Sequence, residues 1–218
     1  MKNFVRNFLR KKEPSDRTKK YWDIAGNEQL EKTMEKICFN FDKDTFENEK
    51  DSIVFELNIP FSKESIVLDL ACGIGRTCKW VSPKVKEYFG VDFIPGMIEK
   101  AKVYNKKFDN AKFFVNDGRT LQIFEDETFD LGYCELAFQH MLKPIQRSYI
   151  REIFRVLKKN GLFYCQLPKI TFYKDDSYAL TDDEVETLLK DFEVTQIKTN
   201  ERTNSAYYSI KAKKVSSI

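Results

Sequence analysis

The sequence predicts an α/β fold: a mainly parallel sheet of seven strands, helices on both of its faces, and a helical cap ahead of it. Three observations predict it. From residue 65 onward, short apolar runs alternate with stretches of helical period, the pattern of strands joined by crossover helices. Those runs are mostly apolar, as in strands covered on both faces. The last two runs, 192–199 and 206–213, are near enough in sequence to close the sheet as an antiparallel pair.

The elements follow in order. Residues 1–20 hold eight basic and two acidic side chains and read as a basic, solvated arm. Residues 21–61 read as a helical cap. In it Asn27 caps a segment with Leu30, Met34 and Ile37 on one face, and a second helix covers about 43–57. Pro60 and the polar Ser62-Lys63-Glu64-Ser65 make the boundary, so the main domain covers 62–218. Its first strand is Ser65–Leu70 and its second Glu87–Val91. Pro95 opens a helix that turns Met97, Ile98, Ala101 and Tyr104 toward the core. Strands follow at Ala111–Val115 and Phe129–Tyr133. A helix from about Pro144 repeats apolar residues every fourth position, Ile145, Tyr149, Ile153 and Leu157, before a strand at Gly161–Gln166. Thr181 and Glu184 form a capping box for the last helix.

Composition narrows the function classes. The 218 residues carry a net charge of +3, but the arm holds +6 and the rest −3. A near-neutral body argues against a nucleic-acid surface spread over the fold. Five cysteines show neither a CxxC pair nor Cys/His ligand spacing, so no metal site is expected and the thiols are expected free in a reducing cytosol. No apolar run approaches a membrane span and no secretory leader is evident, so the expected location is cytoplasmic.

In a parallel sheet, ligands bind beyond the carboxyl ends of the strands, where the strand order switches. After the first strand comes Asp69-Leu-Ala-Cys-Gly73-Ile-Gly75-Arg76. The glycines leave bare peptide where the chain turns into a helix, either for a ligand or for the turn alone. A dinucleotide fingerprint wants a small residue at 78, where Cys78 stands, and Asp69 suits a cationic ligand group better than a phosphate. After the second strand, Asp92 can accept hydrogen bonds from both hydroxyls of a ribose, or cap the next helix. After the third, Asn116-Asp117-Gly118 can accept from an exocyclic amine or form an ordinary turn. The fourth runs into Cys134-Glu135 and on to Gln139-His140. His140 is the only histidine, a general-base candidate or a packed core residue.

Taken together, VLDLACGIGR (67–76), EYFGVDFIPGMIEKAK (87–102), VNDGRTL (115–121), FDLGYCELAFQHM (129–141) and RVLKKNGLFYCQL (155–167) resemble the class I S-adenosylmethionine-dependent methyltransferases, in their small-molecule, type 11/25-like branch. The resemblance covers about residues 60–213 and implies a Rossmann-like fold. It implies S-adenosylmethionine as cofactor and S-adenosylhomocysteine as product. It places Asp69, Gly73, Gly75 and Arg76 at the methionyl part, and Asp92 at the ribose. Phe93 and Met97 lie against the adenine, Asn116, Asp117 and Gly118 around its amine, and Glu135 on the sulfonium side. Tyr21 and Trp22 resemble a cap in which an aromatic closes over the cofactor, with Arg17 or Lys20 meeting a carboxylate. The Asn/Asp-Pro-Pro-aromatic motif of amino-methylating DNA enzymes is absent; Cys134-Glu-Leu-Ala stands in its place.

Methyl transfer from a sulfonium needs in-line alignment, and a hydroxyl acceptor also needs a base. His140 is the first candidate and Glu135 the second. Trp22, Gln139, Tyr164, Lys169 and Tyr173 are expected to border the acceptor, and Tyr133 to help orient it. The expected acceptor is a small polar molecule methylated on O or N, with a bacterial surface sugar or a phosphoryl or phosphoramidate precursor as one form. Two other readings fit the same motifs. One is a protein or RNA methyltransferase docking through the basic arm; the other is a non-catalytic cofactor-binding subunit.

Overall fold

The computed structural model describes residues 14–37, 54, 57–169, 178–202 and 205–215. Two helices come first, α1 (Pro14–Asn27) and α2 (Leu30–Ile37). The sheet domain then runs β1 (Ile66–Leu70), a short α3 (Cys78–Val81), β2 (Glu87–Asp92), α4 (Pro95–Tyr104), β3 (Ala111–Val115) and β4 (Phe129–Cys134). It ends with α5 (Lys143–Val156), β5 (Leu157–Pro168), α6 (Asp182–Leu188), β6 (Phe192–Arg202) and β7 (Ser205–Lys214). All seven strands form one sheet in the order β3-β2-β1-β4-β5-β7-β6. The first five are parallel and β7 inserts antiparallel between β5 and β6. This is the Rossmann-like architecture the sequence predicts.

Alternation along β1 explains why both faces are covered. Leu68 and Leu70 join one buried cluster with Phe129, Ile150, Ile153 and Phe163, roofed by α5 and α6. Val67 joins the other, with Val81, Ile98, Ala101 and Tyr133 beneath α3 and α4. Mostly apolar runs follow from that arrangement. Met97, Ile98 and Ala101 of α4 are buried as predicted, and Thr181 and Glu184 cap α6 reciprocally. Among the described residues, no helix is long and apolar enough to cross a membrane, and no cluster of three or more His, Cys, Asp or Glu could hold a metal ion.

Three boundaries differ from the sequence reading. Helix α1 begins at Pro14 and passes through the predicted border between arm and cap at residue 20. Asn27 ends that helix instead of capping the next; its side chain donates to the Asp23 carbonyl at 2.9 Å, a local bond that asparagine finds readily. The chain also passes from α5 straight into β5, because Leu157 pairs with Phe129 in the sheet. A bulge over 158–161, with Asn160 left-handed at φ 65°, then restores register at Leu162. The predicted helix at 43–57 falls almost wholly outside the described residues.

Helix α1 docks on α4 through two glycines. A Cβ at Gly96 would run into the Gly26 carbonyl and stand 2.7 Å from its carbon; one at Gly26 would stand 2.7 Å from Ile94 Cγ2. The Lys100 ammonium donates to the same Gly26 carbonyl, and Thr33 Oγ1 donates to Ala25 O at 2.7 Å. Gly96→Ala is therefore expected to destabilise the protein by about 1–3 kcal/mol through overpacking against backbone. The melting temperature should fall by about 2–4 °C for each kcal/mol. An unchanged thermal transition would contradict this docking.

Candidate cofactor and catalytic site

The carboxyl ends of β1, β2, β3 and β4 meet at one rim, with β1 between β2 and β4. From β1 the chain enters the glycine turn. Gly75 has φ 70°, and a Cβ there would lie 2.6 Å from Asn105 Nδ2 and 2.7 Å from Phe113 Cε1. Both conformation and space thus demand glycine. Gly73 is also left-handed, at φ 56°.

Asp92, at the end of β2, points back at this turn. Its Oδ2 accepts from Gly73 N at 3.0 Å and its Oδ1 from Ile94 N at 2.9 Å. The residue is 8% exposed. Burial pushes the carboxyl up to about 6, against the backbone N–H groups of Ile94, Gly73 and Phe93, which favour the charged form. The side chain therefore ties the entry to α4 to the glycine turn.

Gly118, at φ 75°, lies against the Phe93 ring: a Cβ there would come within 3.2 Å of Cδ2. The two residues thus sit together beyond the ends of β2 and β3. Asp117 is exposed and turned into its own loop, accepting from Arg119 N at 2.8 Å, Thr120 N at 2.6 Å and Thr120 Oγ1 at 2.9 Å. Slight burial opposes its ionisation, but these bonds prevail and hold the carboxyl below its usual range. Asn116 shapes the same loop. Its amide donates to Thr120 O at 2.9 Å and Tyr149 Oη at 3.0 Å, and its Oδ1 accepts from Gly118 N at 3.3 Å.

Past β4, Glu135 forms an ion pair with Arg76 at 3.0 Å, the side chains only 8% and 11% exposed. Leu136 follows in the left-handed region at φ 51°, its N–H held by Gln166 Oε1 at 3.2 Å and the residue 44% exposed. A left-handed leucine costs about 1–2 kcal/mol and persists only where its surroundings impose it. A short 3₁₀ turn, Phe138–His140, then carries Gln139 and His140, both half-buried. Burial pulls the imidazole below its usual value. Its ring packs edge-on to Trp22 of α1 at 5.4 Å between centroids, and Trp22 meets Tyr21 the same way at 5.0 Å.

Other candidate residues lie deeper in the fold or are engaged by protein partners. Asp69 is buried with its Oδ2 accepting from Thr77 Oγ1 at 2.8 Å and from Tyr88 Oη, so that oxygen is engaged beneath the turn. Met97 packs fully with Ala25, Ile74 and Ile94 under the cap, which leaves it no face for an adenine. Arg76 is engaged by Glu135. Tyr164 is buried in the core beside Tyr133, because its position on β5 points into the α3/α4 face. Tyr133 is equally buried, its hydroxyl 2.7 Å from Thr77 Oγ1. Lys169 lies 3.9 Å from Asp182 Oδ1 and 5.2 Å over the Tyr208 ring. Lys20 is exposed on α1. Tyr173 and the side chain of Arg17 lie outside the described residues.

Other residues that meet the site escaped the sequence. Thr77, Tyr88 and Gln166 stand out in no motif, and nothing in the chain marks Leu136 as left-handed.

The residues present fit an adenosyl amino acid. A buried carboxylate at 92 can accept from a ribose diol, Phe93 and Gly118 adjoin one another where a flat base would lie, and the turn at 73–75 leaves peptide bare for the methionyl end.

Comparison with known proteins agrees. Residues 68–165 match the family model described as a methyltransferase domain. An uncharacterized methyltransferase of Bacillus subtilis, YcgJ, is 36% identical over 102 residues, which span 46% of this chain and 39% of that protein. Demethylmenaquinone methyltransferase of Staphylococcus aureus is 28% identical over 170 residues, 72% of this chain and 68% of that one. In fold, the crystal structure of YcgJ covers 74% of this chain and 96% of its own, with TM-score 0.62 and 19% identity. A Methanosarcina mazei S-adenosylmethionine-dependent methyltransferase covers 74% and 97%, with TM-score 0.63 and 19% identity. Motifs, strand order and rim geometry converge on a methyltransferase domain over residues 68–165, and the class I S-adenosylmethionine-dependent methyltransferases are the family that the chain resembles.

Proposed function

We propose that the protein transfers the methyl group of S-adenosylmethionine to a hydroxyl of a small acceptor, with neutral His140 taking the proton. The observation that carries this reading is His140's position. It follows β4 at the rim, is half-buried against Trp22 of the cap, and is kept neutral by that burial. When bound, the cofactor supplies an electrophilic methyl and a neutral thioether leaving group. The chain's own work is then to hold the cofactor, exclude water under the cap and remove one proton. Gly73, Gly75, Asp92, Phe93 and Gly118 serve the first task, Trp22 and Tyr21 the second, and His140 the third. Glu135 is already paired with Arg76, so it is given an orienting part instead of the base role.

The state of the cations favours an uncharged acceptor over a phosphoryl one. Arg76 is engaged by Glu135, Lys143 by Glu184 at 2.8 Å, and Lys169 by Asp182 and the Tyr208 ring. The exposed Leu136 and the Tyr21–Trp22 pair offer apolar surface instead. That surface also favours a second reading, an acceptor like the demethylmenaquinone named for the staphylococcal relative.

The test uses purified protein and methyl-labelled S-adenosylmethionine against quinols and phenols, neutral sugars, sugar phosphates, tRNA and a protein lysate. Label in a phenolic or quinol hydroxyl supports the proposal; label confined to RNA or protein overturns it. The pH profile adds a second check. A base held below its usual value near 6.5 stays unprotonated through neutrality. At saturating cofactor, turnover should be flat from pH 7 to 8 and fall only as acid protonates His140, below pH 6.5. A profile that falls on the alkaline side of 6.5 would exclude His140 as the base.

A further inference from the structure

Beneath the glycine turn lies a buried cluster that the roles above leave unused. Asp69 ends β1 with its carboxylate under the turn. Tyr88, from β2, donates its hydroxyl to Asp69 Oδ2. Thr77, at the entry to α3, donates to the same oxygen at 2.8 Å. Having given its one proton there, Thr77 Oγ1 can only accept from Tyr133 Oη of β4, 2.7 Å away. The order of donation is therefore Tyr133 to Thr77 to Asp69, with Tyr88 arriving from the other side. Tyr88 and Tyr133 are both fully buried. Two strands and the helix start thus converge on one carboxylate just below Gly73 and Gly75.

We propose that Asp69, Thr77, Tyr88 and Tyr133 act together as a positioning cluster, fixing the height and tilt of the 73–75 peptide and so setting cofactor affinity without touching the cofactor. The inference rests on the reading that the cofactor lies on that turn. Its physical basis is that a buried, fully bonded polar network has one low-energy arrangement. Removing one hydroxyl leaves a buried partner unsatisfied, and the turn must shift to relieve it.

The ionised carboxylate is the form that organises the two donors. Burial pushes the Asp69 carboxyl up to about 7; the Tyr88, Thr77 and Tyr133 hydroxyls act against this, and Glu135 adds to it. Cys72 and Cys78 also face it, both with thiols raised by burial and therefore neutral. Asp92 lies on the other side of the turn, tied to Gly73, and Arg76 is paired with Glu135. Above about pH 7 Asp69 accepts from both hydroxyls; protonation below it sets a third proton among two donors and loosens the cluster.

The test is calorimetric titration of the full chain with S-adenosylhomocysteine, which needs no acceptor. Tyr133→Phe and Thr77→Val are each expected to weaken binding about tenfold, while Thr77→Ser, which keeps the hydroxyl, restores most of it. Tyr164→Phe, a buried tyrosine on the same face outside the cluster, should bind as the native chain does. Native affinity should fall as pH drops from 8 to 6.5, and Asp69→Asn should abolish that fall. Native-like binding by Tyr133→Phe and Thr77→Val, or equal weakening by Tyr164→Phe, overturns the proposal. If Asp92→Ala also binds like the native chain, the cofactor reading itself fails; if Asp92→Ala alone weakens binding, only the cluster's role does.

Discussion

Replacing His140 by alanine is expected to lower turnover by about 10²–10⁴-fold, the usual contribution of a positioned general base. Cofactor affinity should stay within about twofold, since His140 is given no part in holding the cofactor. The alanine also removes the edge contact with Trp22, worth about 0.5–1.5 kcal/mol, and so loosens the cap. His140→Phe separates the two effects. It keeps a ring against Trp22 but no lone pair, and should be about as inactive as the alanine variant. Labelled methyl transfer by His140→Phe at near-native rate would leave the imidazole a packing role only.

The second large effect is expected at Asp92. A carboxylate that accepts two ribose hydroxyls contributes roughly 1.5–3 kcal/mol per charged hydrogen bond. Asp92→Ala should therefore weaken cofactor binding by at least about 100-fold. It also strips Gly73 N and Ile94 N of their partner, so the variant should melt lower than the native chain. Asp92→Asn keeps an acceptor for one of those N–H groups. It should recover much of the stability but little of the affinity, because the amide accepts at one atom only. Equal recovery of both would mean that Asp92 serves the turn alone.

Much of this fold was readable from residues. Mostly apolar strands announced a sheet covered on both faces, and Thr181 with Glu184 announced a helix start that forms as written. Misreadings arose where distant contacts decide. Leu157 continues the helical repeat of α5, yet its pairing with Phe129 draws it into β5. Asn27 has the chemistry of a helix start, yet local bonding to Asp23 O lets it finish α1. At the rim, the glycines and Asp92 were legible because their chemistry is local: bare peptide and a carboxylate at a strand end. The roles of Asp69 and Met97 came from the resemblance, and Tyr164 was expected beside the acceptor; the structure buries all three. Which way a side chain points depends on partners tens of residues away, such as Tyr88 for Asp69. The left-handed Leu136 lay beyond reach for the same reason, since its N–H is held by Gln166, thirty positions on.

The meeting of Gly26 with Gly96 has a bearing on how this site can be retailored. The join brings peptide to peptide at two positions that lack a side chain, and Ala25, Ile94 and Met97 pack beside it. Trp22 lies one helical turn before Gly26, on the same side of α1, and reaches His140. Trp22 also packs on the cluster of Ala25, Ile74, Ile94 and Met97, so attachment and selection meet in one side chain of this helix. Exposed Tyr21 can be exchanged to suit a different acceptor at less cost to the seat.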